Sequence, residues 1–531
     1  MPSPLRKKSL SFLKKIPLSL SIILFFITVL KLPSFFEPYW YGDEGIYLVI
    51  GTALNRGAQL YTDIVDHKTP LIYFLARVNS QLEFRFLLYI WMMISTTAFY
   101  YIARHFTKSV KTIVLATIIF ALFTTLPWFE GNIANGELFV MGFVLVGLWL
   151  LSHSNYCEIL VTEKGLLTYS LHKKDSVLLF LTGFLLGLGI LTKVPALFDA
   201  VAVLAVGYFA IFTTWPKSIV KSVLKVIPPT LIMIAGIVTP IVISIVYFYL
   251  IGSGSDYLDF GLLYNFKYAG SWQLGFTNPL LVFFFTLPGK LVFLVVATLI
   301  ITLSKKFLSA SYQWLLLWFA LAFIACLLSN RPYPHYFLQA IPPLSLVLAL
   351  GAAKLWWAIK HSTKRISSIA AALYAAFSVL LFVGTVWIMH VGLYPTVSYY
   401  ANFIRYSTGK LSQEEYYQTF NYLMKENYQI ASLIRSEQPD KIFIWGTNPM
   451  LYALSDTRPV GKFTVSFHIE DLKVFDETIA QVRAEKPLYI VVMKDQQTEL
   501  PGLQSLLNKQ YMPVETTEHM IVWRKLNNKR V

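Results

Sequence analysis

Apolar runs of roughly 17–25 residues, separated by short polar or basic stretches, recur along the first three quarters of the chain, and a helix needs a run of that length to cross a bilayer. They fall near 16–32, 84–103, 110–129, 137–152, 176–192, 195–214, 226–250, 279–303, 312–328, 338–356 and 369–391. The pattern predicts about eleven membrane-spanning helices. After about residue 392 it changes. Apolar runs shrink to strand length at Lys441–Trp445, Tyr489–Met493 and 520–524, with helical periodicity near 412–436, 471–486 and 500–509 between them. Gly446-Thr447-Asn448-Pro449 after the first of these reads as a turn with proline at a helix start. The expected fold class is therefore a polytopic α-helical membrane domain over 1–391 followed by a small α/β domain over 392–531. No internal repeat is visible.

Composition agrees with that class. Of 531 residues, 56% are hydrophobic, 16% aromatic and only 14% charged, which excludes a soluble globular protein. The formal charge of +16 would suit nucleic acid, but the basic residues sit in clusters between apolar runs and act as topology signals instead. With the N-terminus cytoplasmic, the inner loops hold Arg104, Lys108 and Lys111; Lys164, Lys173 and Lys174; Lys217, Lys221 and Lys225; Lys305 and Lys306; and Lys360, Lys364 and Arg365. Every loop assigned inside is basic. Arg6, Lys7, Lys8, Lys14 and Lys15 precede the first run with no small-residue cleavage site after it, the pattern of a retained signal anchor. The same parity puts 33–83, 130–136, the turn at Lys193, 252–278, 330–336 and the tail on the outer face of a plasma membrane. Cys157 falls in an inner loop and Cys326 in a span, so no disulfide is expected.

Chemistry concentrates in the first outer loop, about fifty residues long where short connections are usual. It opens with Tyr41-Gly42-Asp43-Glu44-Gly45-Ile46-Tyr47 and continues through Tyr61-Thr62-Asp63-Ile64-Val65-Asp66-His67-Lys68-Thr69-Pro70-Leu71-Ile72-Tyr73. Charge is expensive near hydrocarbon, so acids where a span leaves the bilayer point to ligand work. A short interfacial helix over Ile46–Arg56 would hold the Asp-Glu pair at the rim of a cavity.

Asp43-Glu44 with Gly45 and Tyr47, the Gly57, Leu60-Tyr61 and Asp63 stretch, and His67-Lys68-x-Pro70-Leu71-x-Tyr73 together resemble the first outer loop of the polytopic GT-C glycosyltransferases. The branch concerned is that of protein O-mannosyltransferases and lipid A aminoarabinose transferases. Asn135-Gly136-Glu137, Gly187-Leu-Gly-Ile-Leu-Thr192-Lys193 and Arg331-x-x-x-His335-Tyr336-Phe-Leu-Gln339-x-x-Pro342-Pro343 extend the resemblance over most of the chain. It implies transfer of a sugar from a polyprenyl-phosphate donor to a lipid, glycan or protein acceptor on the outer face, with inversion at the anomeric carbon.

On that resemblance Asp43 is the general base, against a plain helix-cap role. Glu44 orients the base, joins a metal site or is merely solvated. Lys68 meets the donor phosphate, against a snorkelling lysine. Glu137 aligns with the acid of the second loop, where an acid also complements the helix dipole. Lys193 is a second phosphate contact or the ion-pair partner of Asp199. Arg331 and His335, with Tyr336 beside them, occupy the outer loop before the tenth span, where a guanidinium suits phosphate. His67 with Asp66 or Glu137 could bind a divalent cation, against a plain surface histidine, and the lipid A branch has an acid rather than histidine before its lysine. The aromatic and polar alternation over 253–278 suits either a lid or an interfacial belt.

The rival reading is a secondary transporter or lipid flippase, against which stand the absence of repeat symmetry and the scarcity of charges at mid-bilayer. No phosphate-binding glycine loop, dinucleotide fingerprint or Ser-His-Asp pattern appears, which argues against a nucleotide-sugar donor.

Overall fold

The computed structural model describes residues 16–157, 169–214, 218–270, 272, 274–360 and 365–526. Arg6, Lys7, Lys8, Lys14, Lys15, Lys164, Lys217 and Lys364 lie outside the described residues. Among the described residues, seven helices are long and apolar enough to cross a membrane, and four shorter apolar helices complete a set that matches the apolar runs one for one. The protein is a multi-pass membrane protein. Cys157 and Cys326 are buried and are not joined by a disulfide.

The helices that carry the site are α1 (Leu18–Lys31), α2 (Gly42–Asn55), α3 (Leu71–Leu75), α4 (Gln81–Phe106), α5 (Val110–Thr125), α6 (Gly136–Leu151), α7 (Lys173–Thr192) and α8 (Ala196–Thr214). Beyond them stand α9 (Ile219–Leu250), α10 (Leu287–Leu303), α11 (Ala310–Cys326), α12 (Ile341–Lys360) and α13 (Arg365–Ile388). The apolar run at 279–303 is not one span. Thr286 accepts from Gly289 N to cap a new helix with Pro288 in its first turn, which separates Pro279–Phe284 from α10.

α2 begins at Gly42, four residues before the expected interfacial helix, and places Asp43 and Glu44 in its first turn, where acids complement the dipole. It is not a surface helix. Nine of its residues are buried, and Gly45 lets the helix Pro449–Ser455 approach so closely that a Cβ at 45 would stand 3.1 Å from Met450 N.

The tail carries a five-stranded mixed sheet of order β2-β1-β3-β5-β4, formed by β1 (Lys441–Trp445), β2 (Arg458–Pro459), β3 (Tyr489–Met493), β4 (Tyr511–Thr516) and β5 (Met520–Lys525). The three strands expected from sequence are present, and Pro449 stands at its helix start. The periodicity at 412–436 splits into Gln413–Gln418 and Met424–Glu437. A β-bridge between Val65 and Phe463, with Val65 N donating to Lys462 O at 2.7 Å, ties the first outer loop to the tail. That bridge brings residues some four hundred positions apart to one place.

Candidate active site

The first loop turns back on itself between Tyr61 and Tyr73. Tyr61 OH donates to Lys68 O at 2.8 Å, Lys68 N donates to Tyr73 OH at 3.2 Å, and Tyr73 OH donates to Asp66 Oδ2 at 2.6 Å. This bonding presents Asp66, His67 and Lys68 to a cavity of about 750 Å³ that also exposes Asp43, Glu130, Arg331, His335, Tyr336 and His468.

Lys68 is the hub. Its Nζ lies 3.5 Å from Asp43 Oδ2 and 3.4 Å from Asp66 Oδ2, over the face of Tyr47. Burial favours the neutral amine, but Asp43 and Asp66 outweigh it and raise the ammonium above its ordinary pKa. Burial likewise works against ionising Asp43, yet Lys68, then His335 and Lys193, hold its carboxyl below the usual value. Asp66 is held well below for related reasons: burial opposes, while Lys68, His67 and His468 prevail. At neutral pH the cavity therefore sets an ionised carboxylate and an ammonium side by side.

Successive helical residues point about 100° apart, so Asp43 and Glu44 cannot share a face. Glu44 turns away from the cavity. Arg85 Nε and Nη2 grip it at 2.9 and 2.7 Å, and Gln81 Nε2 adds 2.8 Å, all in a fully buried cluster with Glu37. Glu44 is buried in this cluster and is not among the residues lining the cavity. Asp43 is not a cap either, since Tyr41 precedes the first helical residue.

Glu137 and Lys193 form an ion pair, with Lys193 Nζ 4.4 Å over the Tyr336 ring. The alternative partner Asp199 is taken elsewhere, accepting from Trp318 Nε1 at 2.7 Å and Gln339 Nε2 at 2.6 Å. These two residues border a second, smaller cavity of about 90 Å³ that shares His67, Lys68, Tyr268 and Tyr336 with the large one. Arg331 packs against Tyr268, Trp272 and Phe467 at 4.3, 5.1 and 5.7 Å. The helical stretch Tyr264–Gly270 of the expected lid lies against the site: Tyr268 stacks on His67 at 4.2 Å, and Tyr264 and Lys267 fasten it to Asp471 of the tail.

Three further residues of the site receive no role from the sequence. His468 comes from the tail, where nothing marks it. Glu130 and Tyr41 belong to the cavity wall, with Tyr41 OH donating to Glu130 Oε2 at 2.5 Å and His335 Nδ1 meeting the same oxygen.

Asp66 Oδ1, His67 Nδ1 and His468 Nε2 stand 3.1 to 3.3 Å from one another. Tetrahedral ligands at about 2.1 Å from a zinc-like ion are about 3.4 Å apart, so the spacing fits a divalent cation with nitrogen and oxygen donors. Asp66 Oδ1 is buried with no hydrogen bond, as a ligand atom would be. Burial, ahead of any charge, pushes His468 down to about 4, which keeps its imidazole neutral and fit to ligate.

Among solved structures the chain is similar to ArnT from Cupriavidus metallidurans bound to undecaprenyl phosphate, with a TM-score of 0.53 over 96% of this chain and 98% of that one, at 13% identity. The fold is GT-C. A likeness of TM-score 0.46 and 12% identity to the archaeal oligosaccharyltransferase AglB from Archaeoglobus fulgidus, in complex with an inhibitory peptide and a dolichol-phosphate, covers 96% of this chain and 75% of that one. No protein-family model matches the sequence, and no curated protein does.

Proposed function

We propose that the protein is an inverting glycosyltransferase that moves a sugar from a polyprenyl-phosphate donor to a hydroxyl acceptor at the outer face of the plasma membrane. The observation that carries this reading is the 3.5 Å pairing of Asp43 with Lys68 in one cavity of about 750 Å³. The GT-C fold, shared with a transferase bound to undecaprenyl phosphate, supports it.

In this reading Asp43 accepts the proton of the acceptor hydroxyl, and the freed oxygen attacks the anomeric carbon from the face opposite the phosphate. The bond from that carbon to the phosphate oxygen breaks, and its electron pair leaves on the polyprenyl phosphate. Lys68 meets the charge that develops there, an arrangement worth more in a water-poor site than in bulk. Lys193, at the border of the small cavity, supplies a second cation toward the phosphate, with Glu137 holding it in place. Arg331, braced by three aromatic rings, lines the large cavity, and Tyr336 lines both.

A divalent cation held by Asp66, His67 and His468 would add positive charge next to Lys68 and lock the tail against the first loop. The protein residues carry every bond-changing role named above.

The test uses full-length protein in detergent with radiolabelled polyprenyl-phosphate sugar and an envelope acceptor fraction. Label should move to acceptor in an Asp43-dependent way. Passage of the lipid across a vesicle membrane with the sugar bond intact would decide for a flippase instead.

A further inference from the structure

From the wall opposite Lys68 we infer that Glu130 reads the sugar itself, and that it selects an uncharged, hydroxyl-rich sugar over an acidic one. This rests on the transferase reading above and adds to it the class of sugar.

The backbone gives the first reason. Glu130 follows the single turn Pro127–Phe129 with φ 59° and ψ 32°, a left-handed conformation that glycine or asparagine fills with little strain. A long acidic side chain there costs stability, and strain of this kind gathers at functional sites. The carboxylate is 3% exposed and lines the cavity. It has no lysine or arginine partner among the described residues; Tyr41 OH and His335 Nδ1 both meet Oε2, which leaves Oε1 for a ligand hydroxyl.

The surroundings suit a sugar. Tyr41 is two residues before Asp43, so the order along the wall is Lys68, Asp43, Tyr41, Glu130. A donor with its phosphate at Lys68 and its anomeric carbon near Asp43 projects its ring toward Glu130. Tyr333, stacked on His335 with 11° between the rings, and Tyr394 offer aromatic faces on that side. Rings for the C–H face and a carboxylate for the hydroxyls form a sugar-binding wall.

Three of the nearby cations face carboxylates of the protein. Lys68 serves two carboxylates, Lys193 serves Glu137, Arg331 lies among aromatic rings, and His335 sits between Glu130 and Glu137. A sugar acid reaching this wall would set its own carboxylate against that of Glu130, and burying like charges together is unfavourable.

Affinities of the full-length protein in detergent for undecaprenyl phosphate alone, and for its glucose, galactose and mannose adducts beside their C6-oxidised uronates, test the inference. In at least one pair the neutral adduct should bind more tightly than the bare lipid and about ten-fold more tightly than its uronate, the loss expected for one charged hydrogen bond replaced by repulsion. Glu130→Gln should narrow that ratio to about two-fold and leave binding of the bare lipid unchanged, a selectivity readout that loss of folding would not mimic. A uronate that binds as well as its neutral partner in every pair overturns the inference, as does a Gln variant that keeps the wild-type ratio. Failure of the wild type to bind bare undecaprenyl phosphate removes the donor reading and this inference together.

Discussion

Asp43→Asn separates chemistry from binding. The amide keeps the shape of the side chain and loses the base, and a positioned general base contributes typically about 10²–10⁴-fold, or about 3–5 kcal/mol of barrier. Lys68 does not lose its hold, because Asp66 remains 3.4 Å away and fully buried. The Asp43 side chain is 31% exposed, so removing its charge should cost under about 1 kcal/mol of stability. Single-turnover transfer of label should therefore fall at least about 100-fold while affinity for the bare polyprenyl phosphate stays within about two-fold. The pH profile carries a second signature. The carboxyl is held below its ordinary value of 3.8, so the base stays ionised and the rate flat as pH drops through 6 and 5; the acid limb appears only as pH falls through the lowered pKa, below 3.8. Transfer within ten-fold of wild type, or an acid limb centred near pH 6, would refute the assignment of the base.

Other perturbations test how the site is held. Glu44→Gln breaks the buried two-pronged contact with Arg85 and should destabilise the protein by about 3–5 kcal/mol, read as a lower midpoint of thermal unfolding in detergent, far more than Asp43→Asn one position earlier. Zinc added to the chelator-treated protein should raise that midpoint, and His468→Ala should abolish the rise with the protein still folded. Gly51→Ala would put a Cβ 2.0 Å from Ala76 O, a backbone atom that cannot yield, so a loss of about 1–3 kcal/mol is expected in the same assay. Asp471→Ala removes the anchor of Tyr264 and Lys267 and should make the 264–278 stretch a preferred site of limited proteolysis.

These variants divide between what the order of residues reveals and what it hides. Spans are legible because the bilayer imposes one length on every helix, and all eleven runs recur as apolar helices even where Thr286 and Pro288 split one of them. Lys68 is legible as a companion of Asp43 because both lie in one loop rich in charge. Glu44 is not: with the helix expected from Ile46, the acidic pair looks like a two-pronged rim, whereas a start at Gly42 sends the second acid 100° away into Arg85. Lys193 pairs with Glu137 rather than Asp199 because Trp318 and Gln339, each more than a hundred positions away, already occupy that acid. His468 carries no local pattern and Glu130 shows only as the first residue of a short outer loop; one is delivered by the Val65–Phe463 bridge and the other by a left-handed turn. Periodicity records what a segment buries. It is silent about which distant segment supplies the partner, so a candidate site assembled from a first loop and a tail four hundred residues apart shows only its nearer half in the sequence.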